Sequence, residues 1–392
     1  MKIAHIIAYY QPQVGYQETY LANTQKEMGH DVFVITSNRF HPGIYSNSQR
    51  FIPAGKYDEE GITVVRLKTI FEFGARPIIK GLKGTLREIH PDVVHCHDVF
   101  SFIPLHVAWL SKKLNIPLIY DSHASDINSD PRCTIRKRIA YALFRGFAGN
   151  IIKNQVYHFV AVGENELEFL CRELGLENKL SIIRLGAESR SFVFDSSARE
   201  SIRKELSIKD DETVIVHSGK LSPSKNIEVL LEAIYELRKK RLNLKLLLIG
   251  RIDDEYRSSL FEFAKKLRLN HDIIFKGHVE REVLPFFYSA SDIAVWPGDI
   301  SIGAIEAMSV RLPLITPEDE YNKTLVKNDN GFLFEMGAVK GLAEKILLLA
   351  SDSKLRSIMG MRSRELVEKE LNWKTITRQF ISLYRDAILE KR

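Results

Sequence analysis

Short apolar runs alternate with stretches of helical periodicity along almost the whole chain. The runs Lys2–Ala8 and Asp31–Thr36 enclose a helix predicted over about Gln17–Met28, and Gly29 ends that helix directly before the second run. A glycine at a helix end followed at once by an apolar strand is typical of a βαβ unit. The alternation resumes in the second half with Val214–Val216. The sequence therefore predicts an α/β protein with two doubly wound parallel sheets and helices on both faces.

The length of the chain indicates more than one domain. A chain of 392 residues is too long for a single compact core, so two domains are expected. We place the N-terminal domain at residues 1–190 and the C-terminal domain at 198–372, with the linker within Gly186–Ala198. In the first domain, a less regular piece precedes a helix predicted near Ile78–Ile89.

Composition excludes several classes of protein. The net charge of +6, from 56 basic and 50 acidic residues, suits anionic small ligands or an anionic membrane surface but not a dedicated nucleic-acid binder. Cys96, Cys133 and Cys171 are too few and too scattered for a disulfide framework, which favours a reducing compartment. The N-terminus has no signal-peptide pattern, and no apolar run has the roughly 20 residues of a membrane span. We therefore expect a cytoplasmic protein.

The early loop after the first predicted strand contains a single glycine, Gly15. It therefore carries neither a G-x-G-x-x-G dinucleotide fingerprint nor a Walker A sequence, which argues against a nicotinamide dehydrogenase and a P-loop ATPase. Two interpretations of Gly15 stay open. It either only makes the turn, or it belongs to a loop that lies over a phosphate or a sugar.

A turn with two lysines follows the predicted strand Val214–Val216. Gly219 allows close approach of the backbone to a ligand. Lys220 and Lys225 lie on either side of the turn, where two flexible ammonium groups could converge on one anion. Because ligands of such sheets bind at the carboxyl ends of the strands, this turn is a candidate anion site.

A second candidate stretch is Trp296–Met308. We expect Ser301 to cap a helix that runs from Ile302 to about Val310. The free N–H groups and the dipole of a helix N-terminus favour an anion, so this helix and the two lysines could together neutralise a diphosphate. Glu306, about one turn into the helix, could bind a ribose diol; the alternative is an exposed helix glutamate.

Histidines occur at two predicted strand ends of the first domain. His95 and His97 would share one face of a strand, but no second cluster with metal spacing accompanies them, so we favour a strand end over a metal site. His123 follows the strand Pro117–Tyr120 and could exchange a proton near neutral pH. Two interpretations of His123 stay open. It either takes part in ligand binding or is a structural histidine that is hydrogen-bonded to a loop carbonyl.

Residues 131–153 are basic and free of acidic residues, with apolar residues interleaved. This amphipathic pattern can lie on an anionic bilayer, which would place the protein at the inner face of the cell membrane. The alternative is a solvated helix face packed on the sheet.

The chain resembles glycosyltransferase family 4, the retaining GT-B group that uses nucleotide-sugar donors. The family's G-R-L-x-x-x-K loop is similar to Gly219–Lys225, with lysine in place of arginine. Further matches in the second half are Gly250, Gly277-His278-Val279, Glu306-Ala307-Met308, Gly331–Phe334 and Trp373. In the first half they are Gly29–Val32, Asp92–His95 and His123.

The sequence departs from the family pattern at two places. The first glutamate of the family's E-x7-E motif would stand at position 298, which is Gly298 here; the neighbouring Asp299 is a candidate substitute. The early loop, glycine-rich in the family, retains only Gly15.

The resemblance implies a GT-B fold of two Rossmann-like domains facing across a cleft, with the last helix, residues 373–392, returning to the first domain. It implies a hexosyltransferase of cell-surface polysaccharide or glycoconjugate biosynthesis, which moves a sugar from a UDP- or GDP-sugar to a glycan or lipid-linked acceptor without a metal or other cofactor. The residues implied as catalytic are His123, Lys220 and Lys225. Those implied in donor binding are Gly15, Gly219, Gly250, Val279, Asp299, Ile302, Gly303, Ala304 and Glu306.

Two other activities are compatible with the same double-domain plan. A nucleotide-sugar 2-epimerase would convert the free sugar nucleotide without an acceptor. A non-catalytic scaffold subunit, suggested by Gly298, would bind nucleotide but show neither transfer nor donor hydrolysis.

Overall fold

The chain divides into two compact units in the computed structural model. The first comprises Met1–Leu185 and Trp373–Arg392, and the second comprises Gly186–Asn372. The structure describes residues 1–45, 48–124, 134–176, 178–238, 240 and 242–391. Within these residues, no helix has both the length and the hydropathy needed to cross a membrane.

The first unit is built on an eight-stranded sheet of order β10-β9-β8-β7-β1-β2-β4-β3. Its strands pair in parallel except for the edge pair β3–β4, which is antiparallel. A separate antiparallel hairpin consists of β5 and β6. The strand bounds are β1 Lys2–Ile6, β2 Asp31–Ser37, β3 Gly55–Glu59, β4 Ile62–Leu67, β5 Thr69–Phe73, β6 Arg76–Ile79, β7 Val93–His97, β8 Leu118–Ser122, β9 His158–Ala161 and β10 Leu180–Ile182.

Helices cover this sheet and include the last helix of the chain, which packs on the first helix, where Trp373 stacks on Tyr20 with ring centroids 5.3 Å apart. The helix bounds are α1 Gln17–Glu27, α2 Leu82–Ile89, α3 Phe102–Leu114, α4 Ile135–Leu143, α5 Asn150–Gln155, α6 Glu164–Leu174 and, at the end of the chain, α15 Trp373–Lys391. A 3-10 turn, Pro12–Val14, precedes α1, and a π-helical segment, Phe144–Gly149, joins α4 to α5.

The second unit has a six-stranded, fully parallel sheet of order β13-β12-β11-β14-β15-β16. Ile215 packs in the core on one face, whereas Val214 and Val216 pack in the core on the other, as the alternation of a strand requires. The strands are β11 Thr213–Ser218, β12 Leu244–Ile249, β13 Ile273–Gly277, β14 Ile293–Val295, β15 Leu314–Pro317 and β16 Gly331–Phe334. Both faces are buried, which confirms the predicted doubly wound α/β class.

The helices of the second unit follow its strands in turn. They are α7 Ser196–Glu205, α8 Ile227–Arg238, α9 Asp254–Lys266, α10 Leu284–Ala290, α11 Ile302–Ser309, α12 Glu320–Leu325, α13 Val339–Ser351 and α14 Ser353–Leu366. Pro223–Lys225 and Arg281–Val283 are 3-10 turns, and Val367–Leu371 is π-helical.

The structure differs from the sequence-based expectations in three places. The helix predicted near Ile78–Ile89 begins only at Leu82, because residues 76–79 pair with β5 as strand β6. The edge strand β3 was not predicted. The expected linker already contains the first turn of α7, whose N-cap Asp195 accepts a hydrogen bond from the Ala198 N–H at 2.9 Å.

Candidate functional site

A glycine directly follows each of the strands β11 and β12, and the two glycines are in contact. Gly219 and Gly250 have φ angles of +125° and +144°, which side chains rarely adopt. A Cβ atom on Gly250 would lie 1.7 Å from the carbonyl oxygen of Gly219, so the two backbones touch where both strands end. Glycine is therefore required at position 250 for packing as well as for conformation.

The two lysines of the adjoining turn have different partners. The Lys220 ammonium lies 3.4 Å from the Asp253 carboxylate, and both side chains are largely exposed, so this pair rearranges at little cost. The half-buried Lys225 donates a hydrogen bond to the backbone oxygen of Asp299 at 2.8 Å. Burial lowers the pKa of Lys225, and the Asp299 carboxylate partly offsets that effect. Lys225 is thus held in place before any anion arrives.

Helix α11 begins against the end of β11. A Cβ atom on Gly303 would lie 2.5 Å from the Ser218 hydroxyl oxygen, so only glycine allows this approach. The Ser301 hydroxyl accepts a hydrogen bond from the Trp296 indole at 3.1 Å and makes no side-chain cap. The predicted cap by Ser301 is therefore wrong, although the residue does occupy the N-cap position. Ala304 donates its N–H to the Ser301 carbonyl at 3.0 Å.

These contacts bring several predicted donor-site residues into one place, which we call the β11–α11 cluster. It consists of Gly219, Lys225, Gly250, Asp299 and the first turn of α11, Ile302–Ala304. The N–H groups of Ile302 and Gly303 precede the first bonded amide of the helix, that of Ala304. Such N-terminal groups and the helix dipole favour an anion. The cluster thus combines a positioned ammonium with a helix N-terminus.

Position 298 has no room for a side chain. A Cβ atom on Gly298 would lie 2.3 Å from the Ser224 carbonyl oxygen and 2.7 Å from the Lys225 carbonyl carbon. The next residue, Asp299, donates its N–H to Ser224 at 3.0 Å. The backbone of this segment therefore excludes the glutamate that the family pattern has here, and Asp299 contacts Lys225 through its carbonyl oxygen.

Glu306 is almost completely buried, with 1% of the residue exposed. Its carboxylate pairs with Arg281, whose guanidinium carbon lies 5.2 Å from the centre of the Phe192 ring. Burial raises the pKa of Glu306, and Arg281 counteracts the rise. The alternative of an exposed helix glutamate is thus excluded. Arg281 was not identified from the sequence, although it follows Val279 by only two residues; Val279 itself packs half-buried against the core.

The first unit holds two further predicted site residues. Gly15 is buried with φ +70°, and its N–H binds the Pro12 carbonyl at 3.1 Å, so it closes the 3-10 turn before α1. His123 directly follows β8 and is exposed, whereas Asp121, two residues earlier, is completely buried. His123 is therefore at the carboxyl end of the sheet, where ligands of such folds bind.

A buried polar cluster, which we call the histidine ring, lies beneath this end of the sheet. His5, His95 and His97 share one face of β1 and β7, and Asp121 is opposite His97 on β8. Gln25 of α1 and Tyr384 of α15 cover them. Each member contacts the next one around a closed ring. Gln25 lies 2.7 Å from His5, His5 lies 2.9 Å from His97, and His97 lies 2.8 Å from Asp121. Asp121 lies 3.3 Å from His95, His95 lies 2.6 Å from Tyr384, and Tyr384 lies 3.3 Å from Gln25.

Donor counting assigns one positive charge to the histidine ring. Burial holds the pKa of His5 well below its usual value, so this ring is neutral. With the Gln25 oxygen accepting from Nε2 of His5, Nδ1 of His5 accepts from Nε2 of His97. His97 therefore carries one proton on Nε2, which it donates to His5, and a second on Nδ1, which it donates to Asp121. Burial, the largest single influence, lowers the pKa of His97, but the charge and hydrogen bond of Asp121 and the charge of Glu18 together raise it above its usual value. His97 is thus the imidazolium partner of Asp121.

The three histidines also meet the geometric condition for a metal site, because their ligand nitrogens lie within 4.8 Å of one another. As placed, however, nitrogens of His5 and His97 are hydrogen-bonded to each other. Burial lowers the pKa of His95 to about 4, so this ring is neutral. The i, i+2 spacing of His95 and His97 predicted their shared face. Nothing local in the sequence indicated Tyr384 as a partner.

Two parallel-sheet α/β units of this topology define the GT-B class of glycosyltransferase. The crystal structure of Anabaena HepE in complex with UDP has the same fold, with a TM-score of 0.76 over 98% of this chain and all of that chain, at 18% sequence identity.

Family models place the chain within that class. The model described as Glycosyltransferase Family 4 matches residues 18–189, and the model described as Glycosyl transferases group 1 matches residues 198–366. The chain belongs to glycosyltransferase family 4 and is a glycosyltransferase.

Curated relatives agree with this assignment. An uncharacterized glycosyltransferase of Methanocaldococcus jannaschii is 24% identical over 99% of both chains. The alpha-monoglucosyldiacylglycerol synthase of Acholeplasma laidlawii is 24% identical over 85% of both.

Proposed function

We propose that the protein is a retaining hexosyltransferase that moves a sugar from a UDP- or GDP-sugar to a glycan or lipid-linked acceptor in cell-surface polysaccharide or glycoconjugate biosynthesis. The observation that carries the proposal is the β11–α11 cluster, because it places the fixed Lys225 ammonium and the start of α11 at one strand end. This combination suits the diphosphate of a sugar nucleotide.

In the proposed reaction, the bond between the sugar's anomeric carbon and the diphosphate oxygen breaks, and the acceptor oxygen bonds to that carbon on the same face. The departing diphosphate takes the acceptor's proton. Negative charge grows on the diphosphate, so Lys220, Lys225 and the first amides of α11 stabilise the transition state electrostatically. These charges replace a metal ion in this role, and His123 orients the sugar or the acceptor.

The remaining candidate residues take roles in donor binding. Gly219 and Gly250 allow the nucleotide to approach the strand ends, and Val279 lies near the base. Glu306 binds the ribose diol, and its pairing with Arg281 fixes the orientation of the carboxylate. Gly15 brings the backbone before α1 close to the sugar.

The choice of substrates follows from the comparisons. The HepE structure contains UDP, which favours a uridine donor here. The Acholeplasma relative is named for a diacylglycerol product, which favours a lipid acceptor and peripheral contact with the inner face of the membrane.

The proposed membrane contact involves the basic region 131–153. Residues 131–133, including Arg132, lie outside the described residues, as do the side chains of Arg136 and Lys137. In the described part, Ile135, Ile139 and Leu143 are exposed at a spacing of four and form what we call the α4 stripe. Its exposure supports the bilayer interpretation over a helix face packed on the sheet.

Thermal shift with a panel of nucleoside diphosphates and sugar nucleotides tests the proposal, since a ligand that binds only the folded state raises the melting temperature. With EDTA present, we expect a shift for UDP or GDP and their sugars, and its loss in Lys225→Ala. Lys265→Ala, an exposed lysine on α9, is the matched control. Absence of a shift with every nucleotide would refute the donor assignment.

A non-catalytic scaffold is the second candidate, because the backbone at Gly298 excludes the family's carboxylate. A scaffold would bind the nucleotide in the same assay but would neither transfer the sugar nor hydrolyse the donor. Release of UDP from UDP-sugar with and without acceptor, followed by coupled assay, separates the two functions.

A further inference from the structure

Three large apolar side chains lie exposed on one hairpin of the first unit. Strands β5 and β6 form a two-stranded sheet separate from the eight-stranded one. On β5, Ile70, Phe71 and Phe73 are 61%, 57% and 67% exposed. Clustered exposed apolar side chains of this size mark interaction sites in soluble proteins.

The aromatic face of the hairpin is held outward. Phe71 and Phe73 are two residues apart and therefore project from the same face, whereas Glu72 projects from the other. The Glu72 carboxylate binds Arg39 and Arg50, each at 2.5 Å, and the Glu72 and Arg50 side chains are each only 8% exposed. The Tyr9 hydroxyl also donates a hydrogen bond to this carboxylate. Three side chains therefore fix the hairpin on the unit while its aromatic rings remain in solvent.

Every exposed charged residue between positions 62 and 86 is basic. Lys68 precedes β5, Arg76 begins β6, and Lys80 and Lys83 follow it; all four are exposed. Between residues 62 and 87, Glu72 is the sole acidic residue of the sequence, and its charge is offset by two arginines. Lys68 and Lys80 lie opposite each other at the base of the hairpin, and Arg76 is opposite Phe73 next to the turn. Exposed apolar side chains flanked by positive charge are the pattern of a surface that binds an anionic bilayer.

The hairpin is also linked to the α4 stripe. Arg76 donates a hydrogen bond to the Phe100 carbonyl at 3.2 Å. The Phe100 ring packs against Tyr141 of α4 and against Phe144, with ring centroids 5.3 Å apart in both pairs. Two exposed apolar elements with basic neighbours are therefore connected through one residue.

We propose that the β5–β6 hairpin is a membrane-docking element: Phe71 and Phe73 insert at the headgroup level of an anionic bilayer, while Lys68, Arg76, Lys80 and Lys83 contact lipid phosphates. Charge complementarity favours a bilayer over a protein partner, because the centres of protein interfaces are depleted of lysine. The inference extends the membrane contact of the proposed function from the α4 stripe to a second element, and docking itself requires neither donor nor acceptor.

Co-sedimentation of the full chain with vesicles tests this docking. We expect binding to phosphatidylcholine vesicles that contain phosphatidylglycerol and little binding to pure phosphatidylcholine. The double variant Phe71→Ser/Phe73→Ser should weaken binding at least about tenfold. Leu389→Ser is the matched control, because Leu389 of α15 is also 67% exposed and belongs to the same unit.

Charge reversal provides a second, independent variant. Lys80→Glu/Lys83→Glu should weaken binding about tenfold or more at low salt, and Lys265→Glu/Lys266→Glu on α9 should not, although the net charge changes equally. For Phe73→Trp, we expect a blue shift of fluorescence on adding the anionic vesicles, and none for Leu389→Trp.

Two outcomes would overturn the proposal. One is equal vesicle binding by the hairpin variants and their controls. The other is the absence of binding to anionic vesicles together with concentration-dependent self-association that the aromatic variant abolishes, which would assign the hairpin to contact between copies of the chain. Nucleotide thermal shift is unaffected by the hairpin variants in either case, so this test is separate from that of the proposed function.

Discussion

The two lysines after β11 are candidate anion-binding residues of the second unit and have different partners. Lys225 is held by a backbone oxygen rather than by a carboxylate, so an arriving anion does not have to displace an ion pair. Lys220, by contrast, lies near Asp253 at the surface. The two lysines of one motif thus differ in how far their ammonium groups are positioned in advance.

Lys225→Ala tests that difference in catalysis. If Lys225 stabilises the leaving diphosphate, its removal should lower kcat on the order of a hundredfold, or about 3 kcal/mol of transition-state stabilisation. Steady-state kinetics with the preferred sugar nucleotide measure the effect, with Lys265→Ala as control. Turnover close to that of the wild type would contradict the assigned role.

Gly298 allows a test of packing. Because an added Cβ would meet the Ser224 carbonyl, Gly298→Ala should destabilise the protein by about 1–3 kcal/mol, as overpacking does. Gly341→Ala on α13 is the matched control, since its Cβ would meet ordinary contacts at 3.6 Å or more. For Gly341→Ala, the free energy of unfolding should rise by about 0.5–1 kcal/mol, because alanine favours the helix over glycine. Thermal melts compare Gly298→Ala with Gly341→Ala. Equal melting temperatures would mean that the backbone of residues 297–300 shifts to accommodate the added Cβ.

At the scale of elements, the histidine ring joins β1, β7 and β8 to α1 and α15. The carboxylate of Asp121 also accepts a hydrogen bond from Gln17 at the start of α1, at 3.0 Å. The ring therefore lies between the two segments that carry Gly15 and His123. Both predicted site residues of the first unit depend on its geometry.

The charge on this ring predicts a pH dependence of stability. The folded-state pKa of His97 is raised. The stabilisation of the folded state by protonated His97 is therefore complete below the usual pKa of 6.5 and is lost as the pH rises through the raised pKa. The stability difference between wild type and His97→Gln should therefore narrow as the pH rises above about 6.5, as measured by urea unfolding. A constant difference would contradict an imidazolium at this position.

Neighbouring groups require a control in that experiment. His5 and His95 face His97 but have lowered pKa values, and Tyr384 titrates only at high pH. Burial raises the pKa of Glu18 on α1 to about 7. The titration of Glu18 therefore also lowers the stability of the folded state as the pH rises. Repeating the measurement in a Glu18→Gln background removes the titration of Glu18, together with the part of the rise in the His97 pKa that the Glu18 charge supplies.

At the scale of the whole molecule, the two units are expected to have different roles. The candidate anion-binding residues lie in Gly186–Asn372, whereas the histidine ring and the hairpin lie in the other unit. We expect UDP to protect amides of the second unit from hydrogen exchange, at the end of β11 and the start of α11 above all. Protection confined to Met1–Leu185 would contradict the placement of the donor.

Much of this organisation could be predicted from the sequence, because it depends on local patterns. The βαβ alternation, the Gly219–Lys225 turn and the helix from Ile302 each follow from the period of apolar residues and from turn chemistry within a few positions. These signals predicted the fold class and the position of the candidate donor site, and the resemblance to the family's motifs indicated the family. The hairpin was missed because its strands are short and follow one another almost without a break.

The tertiary structure alone decided which distant side chains become partners. Tyr384 meets His95 across 289 positions of the chain, and Arg281 meets Glu306 across 25. Packing likewise decided that Gly298 has no space for a side chain and that Phe71 and Phe73 remain in solvent. Periodicity shows which face of an element is buried, but not which element covers it. Charge pairing and backbone contacts therefore emerge only when the sheets and helices are assembled.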